Sequence, residues 1–334
     1  MKKSILLTFD YELFLGKKSG SVDNCLIEPT EKIRHILNKY NIKAIFFVDT
    51  TYLLRLAEVA QNNKVCKQNL TKIENQLQQL KKDGHSIFHH LHPHWLDAIY
   101  IPELDEWNLE NISKYSFKNI SLEERNRIFE FSDAFIRKFE GENKVGFRAG
   151  GLYVEPISDF LPYFSKYNIK YEFSICPEEY SIGKNDSYDF RHFPYKPYFF
   201  QTKVNKEELI GEYIEYPITR FKISGIPKIL NGIYHRLFSK SKTIYGDGFP
   251  VNLVQIEKPE NHFFELNIPL SLEFLNSFNY TLCISYLKKN DYIHFLSHPK
   301  LMSDESIDSM DKMLKVLIKK YNLNSDFRKI QIKN

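Results

Sequence analysis

The chain has 334 residues, 43% of them hydrophobic, with 46 Lys and Arg against 42 Asp and Glu for a net charge of +4. That apolar content excludes an intrinsically disordered protein, and interspersed charge without a basic tract gives no case for a nucleic-acid partner. No run of about 18 apolar residues occurs, so no membrane-spanning helix is expected.

Four cysteines lie far apart and never form a C-x-x-C pair. That pattern is neither a zinc ribbon nor a disulfide scaffold, and it suits free thiols in a reducing compartment. The opening M-K-K is that of a signal peptide, but the apolar run stops at Asp10 and no small-residue cleavage site follows. A soluble cytoplasmic protein is therefore expected.

The first half alternates strand and helix patterns. S4-I-L-L-T-F9 is a short apolar run bounded by charge, as a buried strand requires. Ile33, Ile36, Leu37 and Tyr40 recur at helical spacing, and I42-K-A-I-F-F-V48 reads as a second buried strand. Tyr52 to Lys82 is helical in pattern and closes on Asp83-Gly84, a glycine cap. A third strand leads into a run of histidines. Ser121 and Glu124 are then spaced as a capping box, opening a helix that runs to Lys138. K144-V-G-F-R-A-G150 is a strand ending in glycines, and a helix and strand follow up to Cys176. D291-Y-I-H-F-L-S297 is a late strand whose partner helix spans Ser306 to Tyr321. Repeated βα units imply an α/β fold with a parallel sheet covered by helices, open or closed into a barrel. In both, active residues gather at the carboxyl ends of the strands.

Of the 11 histidines, His85, His89, His90, His92 and His94 crowd into G84-H-S-I-F-H-H-L-H-P-H-W95. Neutral imidazole is the commonest ligand for a transition metal. On a strand His90, His92 and His94 share one face, and on a helical turn His90 and His94 do. Either way His90 and His94 can point at one ion, as helical zinc ligands at i and i+4 do. His85 and His89 suit an orienting or supporting role. D10-Y-E12 adds two carboxylates just after a strand. One can bind a metal while the other acts as base on water whose pKa the ion lowers towards about 7. Asp49, after the second strand, is the next acid in reach should neither serve.

Four motifs stand in the order and spacing of the polysaccharide deacetylases: L7-T-F-D-Y-E12, the histidine segment from Gly84 to His94, F147-R-A-G-G151 and the L-S-H-P run from Leu296 to Pro299. The chain thus resembles carbohydrate esterase family four, the nodulation-type deacetylase domain, over roughly residues 1–180 and 285–325. The resemblance implies a distorted (β/α) barrel, usually of seven strands, as a single catalytic domain over 1–334 with an inserted or elaborated region at about 180–285. It implies one divalent metal, zinc first, held by an acid and two histidines, here His90 and His94. Asp10 falls on the catalytic base, Arg148 on the arginine that holds it, and His298 on the general acid. The usual second aspartate is Tyr11, which moves the acidic ligand to Glu12. Gly151 falls where a backbone N–H would help hold the oxyanion. His92, His89 and Trp95 are expected behind the ligands or against substrate. Where relatives carry D-S-S, this chain has E172-F-S174.

The function so implied is N-deacetylation of an N-acetylated sugar, a nucleotide- or lipid-linked intermediate of surface polysaccharide biosynthesis. Its competitors are a deformylase or cyclic-amide hydrolase of the same fold and a non-catalytic sugar-binding homologue. Between Ile226 and Lys242 an apolar stripe at helical spacing is edged by Lys228, Arg236, Lys240 and Lys242. That pattern reads as a helix packed on the barrel or in a dimer, or as one lying on a membrane surface.

Overall fold

The computed structural model describes residues 2–183, 187–225, 229, 243–250, 255–257 and 265–332. Nine strands form one sheet: β1 (Lys2–Tyr11), β2 (Ile45–Asp49), β3 (Ser86–Leu91), β4 (Val145–Ala149), β5 (Ile169–Glu172), β6 (Tyr198–Phe200), β7 (Tyr213–Glu215), β8 (Tyr292–Ser297) and β9 (Asn322–Asn324). Their order is β6-β7-β5-β4-β3-β2-β1-β8, with β9 also paired to the start of β1. From β7 to β8 every pairing is parallel, which makes the seven strands of the expected barrel. The residues after β7 close it. Tyr216 and Ile218 N–H donate to Glu172 and Ile175 carbonyls on one side, and Thr219 N–H donates to the His294 carbonyl of β8 on the other. The irregular backbone at this closure is what distorts the barrel.

The strands are almost wholly buried because both faces are covered, so they read as continuous apolar runs rather than alternating ones. Helices α1 (Glu28–Lys39), α2 (Thr50–Ala60), α3 (Lys64–Lys82), α4 (Leu122–Glu140), α5 (Leu161–Lys166), α6 (Tyr280–Lys289) and α7 (Asp304–Lys320) lie along the chain between and after them. Where the pattern from Tyr52 to Lys82 suggests one helix there are two. Asn63 adopts extended dihedrals and its side chain accepts from Cys66 N–H, capping α3 and ending any continuation of α2. The Ser121–Glu124 capping box forms as read, and Phe129 of α4 stacks on Tyr163 at 4.1 Å.

In 180–285, β6 and β7 join the main sheet, while the other described strands pair as two small antiparallel sheets, Tyr180–Gly183 with Ser187–Asp189 and Gln255–Glu257, and Arg220–Ser224 with Glu265–Pro269. The helix read into 226–242 lies outside the described residues. Among the described residues no helix is long and apolar enough to cross a membrane.

Register sets the functional rim. Asp10 pairs with Phe47, Asp49 with His90, and His90 with Arg148, while Phe9 pairs with Ser297. The carboxyl ends of β1, β2, β3, β4 and β8 are therefore level.

Behind the rim, Ala44 N–H donates to His85 Nδ1 (3.2 Å), and His89 Nδ1 lies 2.7 Å from Ser132 Oγ of α4. Burial pushes these imidazoles down to about 4 and about 3 respectively. The unfolded chain takes up both protons near pH 6.5, which the folded chain resists until those lower values. Their contribution is thus full above about pH 6.5 and drains away on acidification. Each should cost about 2 kcal/mol of stability between pH 7 and pH 5. Urea unfolding at both pH values checks this, since His89→Gln should remove its share of the difference.

Candidate active site and metal centre

Alternation along β1 turns Asp10 and Glu12 to one side and Tyr11 to the other. Tyr11 is buried and donates to Gln76 Oε1 at 2.8 Å, so the position of the usual acid is given over to the core. Arg148, fully buried at the end of β4, donates from Nη1 to Asp10 Oδ1 at 2.5 Å. Its Nη2 donates to Thr8 Oγ1 (2.9 Å), its Nε to the Phe173 carbonyl (3.0 Å), and its plane stacks 4.2 Å over the Phe47 ring. His294 Nε2 lies 3.2 Å from Nη2. Burial and then Arg148 hold that imidazole well below its ordinary value, so it accepts here as a neutral ring. Asp10 is thus fixed by one oxygen. The other, Oδ2, faces His90 Nε2 at 3.8 Å and His298 Nε2 at 3.7 Å.

Glu12 Oε2 lies 3.1 Å from His90 Nε2 and 2.6 Å from His92 Nε2, and the two imidazole nitrogens are 3.0 Å apart. His90 Nδ1 donates to the Arg148 carbonyl at 2.8 Å, which turns Nε2 towards Glu12. Among the described residues, Glu12, His90 and His92 form the group whose donor atoms converge within 4.8 Å. One acid and two imidazoles make a donor set suited to zinc or a similar ion. Burial alone would raise the Glu12 carboxyl. Lys300 and then the His92 and His90 rings override it and hold the group well below the usual carboxylate range. Burial likewise opposes charge on His90, but Asp10 and then Glu12 push its imidazole up to about 9, so proton and metal compete for Nε2.

His94 is not among the converging donors. β3 ends at Leu91, His92 continues in extended backbone, and Pro93 opens a tight turn over Pro93–Asp97. Extended backbone brings His90 and His92 to one side at spacing two. The turn at Pro93 interrupts the regular strand or helix on which His90 and His94 would share a face. His94 instead packs beside the His92 ring (4.9 Å) and the Trp95 ring (5.5 Å). Burial and then His92 hold it well below its ordinary value. Trp95 is buried rather than presented to a substrate, and its Nε1 donates to Asp49 Oδ2 at 2.6 Å. Asp49 also caps α2 by accepting from Tyr52 N–H, so both its oxygens are engaged. His89 supports β3 from behind, as described.

Gly150 and Gly151 follow β4 directly. A Cβ at 150 would sit 2.5 Å from both His92 Nδ1 and the Leu91 carbonyl, so this glycine makes room for the His92 ring. Gly151 is exposed with φ +60°, at the turn beside it. Glu172 and Ser174 are buried under the same strand: Ser174 Oγ donates to Glu172 Oε1 and accepts from Ala149 N–H. His298 stands at the end of β8, 3.6 Å from Glu12 Oε1, with Nδ1 3.1 Å from Glu273 Oε1. Burial opposes its charge, but Glu273 and then Asp10 hold its imidazole above the ordinary value.

Two contributors were not singled out from sequence. Glu273 comes from the stretch that carries no recognisable motif. Lys300, whose Nζ donates to Glu12 Oε1 at 2.8 Å, lies two residues past His298 and was open to discovery from that spacing.

The family model for polysaccharide deacetylase matches residues 1–152. A comparison with curated proteins finds no match. Among solved structures the chain is similar to Puue allantoinase at 11% identity and TM-score 0.44, covering 96% of this chain and 85% of that one. It is similar to the catalytic domain of peptidoglycan N-acetylglucosamine deacetylase from Eubacterium rectale at 14% identity and TM-score 0.40, covering 96% and 87%. To a family 4 acetyl xylan esterase from Clostridium thermocellum, solved with a cobalt ion, it shows 19% identity and TM-score 0.29, covering 53% and 60%.

Proposed function

We propose, from the match of residues 1–152 to the polysaccharide deacetylase family model, that this chain is a hydrolase of amide bonds, a metal-dependent N-deacetylase of an N-acetylated sugar. The observation that carries the reading is the convergence of Glu12, His90 and His92 beside the Asp10–Arg148 and His298–Glu273 pairs. A divalent ion held by Glu12, His90 and His92 would polarise the acetyl carbonyl and acidify the attacking water.

The side chains supply the rest. Asp10 Oδ2, the oxygen that Arg148 does not hold, takes the proton of the water. Arg148 and its supports keep that carboxylate aimed. His298 Nε2, 3.7 Å across from Asp10 Oδ2, gives a proton to the departing amine, and Glu273 fixes its ring through Nδ1. We place the acetylated sugar on a nucleotide or lipid carrier of surface polysaccharide synthesis. The four cysteines, free and buried, support this because they suit a reducing compartment in which precursors rather than finished polymer are met.

Acetate release from nucleotide-linked and lipid-linked N-acetylglucosamine, with and without added zinc, tests the reading. Formate release from the formylated sugar alone, or sugar binding without turnover at any metal loading, would refute it. His298→Ala should lower kcat by about 10²–10⁴-fold with little change in KM, as loss of a general acid does. The loss should shrink on an activated ester, whose leaving group needs little protonation. An equal loss on amide and ester would assign His298 a structural role.

A further inference from the structure

Lys300 is only 6% exposed, and its ammonium ends on the carboxylate assigned to metal binding. Its Nζ donates to Glu12 Oε1 at 2.8 Å and to the Leu13 carbonyl at 2.6 Å, and it sits 4.9 Å over the Phe14 ring. The strap at 245–248 seals this arrangement. Gly246 N–H donates to the Lys300 carbonyl at 2.9 Å. A Cβ at 246 would lie 2.6 Å from the Phe14 ring and 2.7 Å from the Lys300 carbonyl oxygen, and one at 248 would lie 2.4 Å from the same ring. Lys300 is thus built into place rather than resting on the surface.

A lysine buried in this way is costly unless paired, and among the described residues its acidic partner at hydrogen-bonding distance is Glu12. Two carboxylates of the rim, Asp10 and Glu12, are each paired with a buried cation, Arg148 and Lys300 respectively. A site built only to hold an ion tightly would leave its carboxylate uncompensated, because affinity grows with the negative charge of the ligands.

We propose, on the basis of the function above, that Lys300 sets the strength of the metal site. Its ammonium occupies Glu12 Oε1, leaves Oε2 as the single carboxylate oxygen offered to an ion, and offsets the charge of that ligand. Lys300 is a positioning residue that acts through Glu12. The consequences are a moderated affinity and a weaker carboxylate donor, which leaves a bound ion more electrophilic towards a carbonyl.

Zinc dissociation constants, measured by competition with a chromophoric chelator on the full chain, provide a readout independent of turnover. Lys300→Met removes both the charge and the tether. Lys300→Gln keeps a hydrogen-bond donor without charge, and Lys300→Arg keeps the charge. The proposal expects Lys300→Gln to bind zinc about ten-fold tighter or more, and Lys300→Arg to stay near wild type, as the loss or retention of one nearby charge requires. Lys300→Met should also tighten binding; if it fails to fold, the Gln and Arg variants decide. Unchanged or weaker binding by Lys300→Gln would overturn the proposal and reduce Lys300 to a mechanical tether. A wild-type chain that binds no zinc would refute the metal-dependent reading itself, a result distinct from any pattern among the Lys300 variants.

Discussion

Asp10→Asn is expected to keep its divalent ion and to lose turnover by about 10²–10⁴-fold, the share a general base supplies. The amide nearly matches the carboxylate in shape, and its oxygen can still accept from Arg148 Nη1, which holds Oδ1 at 2.5 Å. What it cannot do is take a proton at the position of Oδ2, the oxygen that faces His90 and His298. Metal content and kcat measured on one preparation separate this from the alternative. Loss of the ion together with the rate would make Asp10 a ligand. Glu12→Ala should behave in the opposite way, losing the ion first and recovering part of its rate on added zinc.

The second large effect separates the neighbouring histidines. His92→Ala and His90→Ala are each expected to abolish zinc binding at stoichiometric metal. His94→Ala should retain the ion with a loss of about 10–100-fold in affinity or activity, typical of groups that support ligands from behind. The geometry is the reason. His90 and His92 Nε2 lie 3.0 Å apart beside Glu12 Oε2, whereas His94 packs between His92 and Trp95. If His94→Ala strips the metal and His92→Ala does not, the ligand set proposed here is wrong and the spacing read from the sequence pattern is right.

That contrast marks how far the sequence was legible. Buried parallel strands announce themselves as apolar runs, and β1 and β2 were readable on that ground, with β3 and β8 following from the alternation of strand and helix patterns. Because parallel strands with helical crossovers bring their carboxyl ends to one rim, Asp10, Glu12, Arg148, His298 and the histidine run were also readable as neighbours. The choice between His92 and His94 was not. It depends on whether the backbone after β3 is extended or helical, and composition does not distinguish the two. His92 stays extended and Pro93 starts the turn, which is what supports spacing two in the ligand set proposed here over the spacing four read from the sequence pattern. Glu12 as the acid proposed in place of the usual aspartate was legible from its place in D-Y-E. Its counter-ion Lys300 and the His298 partner Glu273 were not, because single charged residues carry no signature until the fold sets them beside something. The helix break at Asn63 was hidden for a similar reason, since a cap within a continuous helical pattern shows only as one more polar residue.

The central claim is that Glu12, His90 and His92 hold one catalytic ion. Anomalous diffraction from crystals of the zinc-loaded chain tests it most directly. One peak is expected, with Glu12 Oε2, His90 Nε2 and His92 Nε2 each within about 2.5 Å of it. A peak ligated by His94 or Asp10 in place of His92 or Glu12, or no peak at this rim in fully loaded protein, would contradict it.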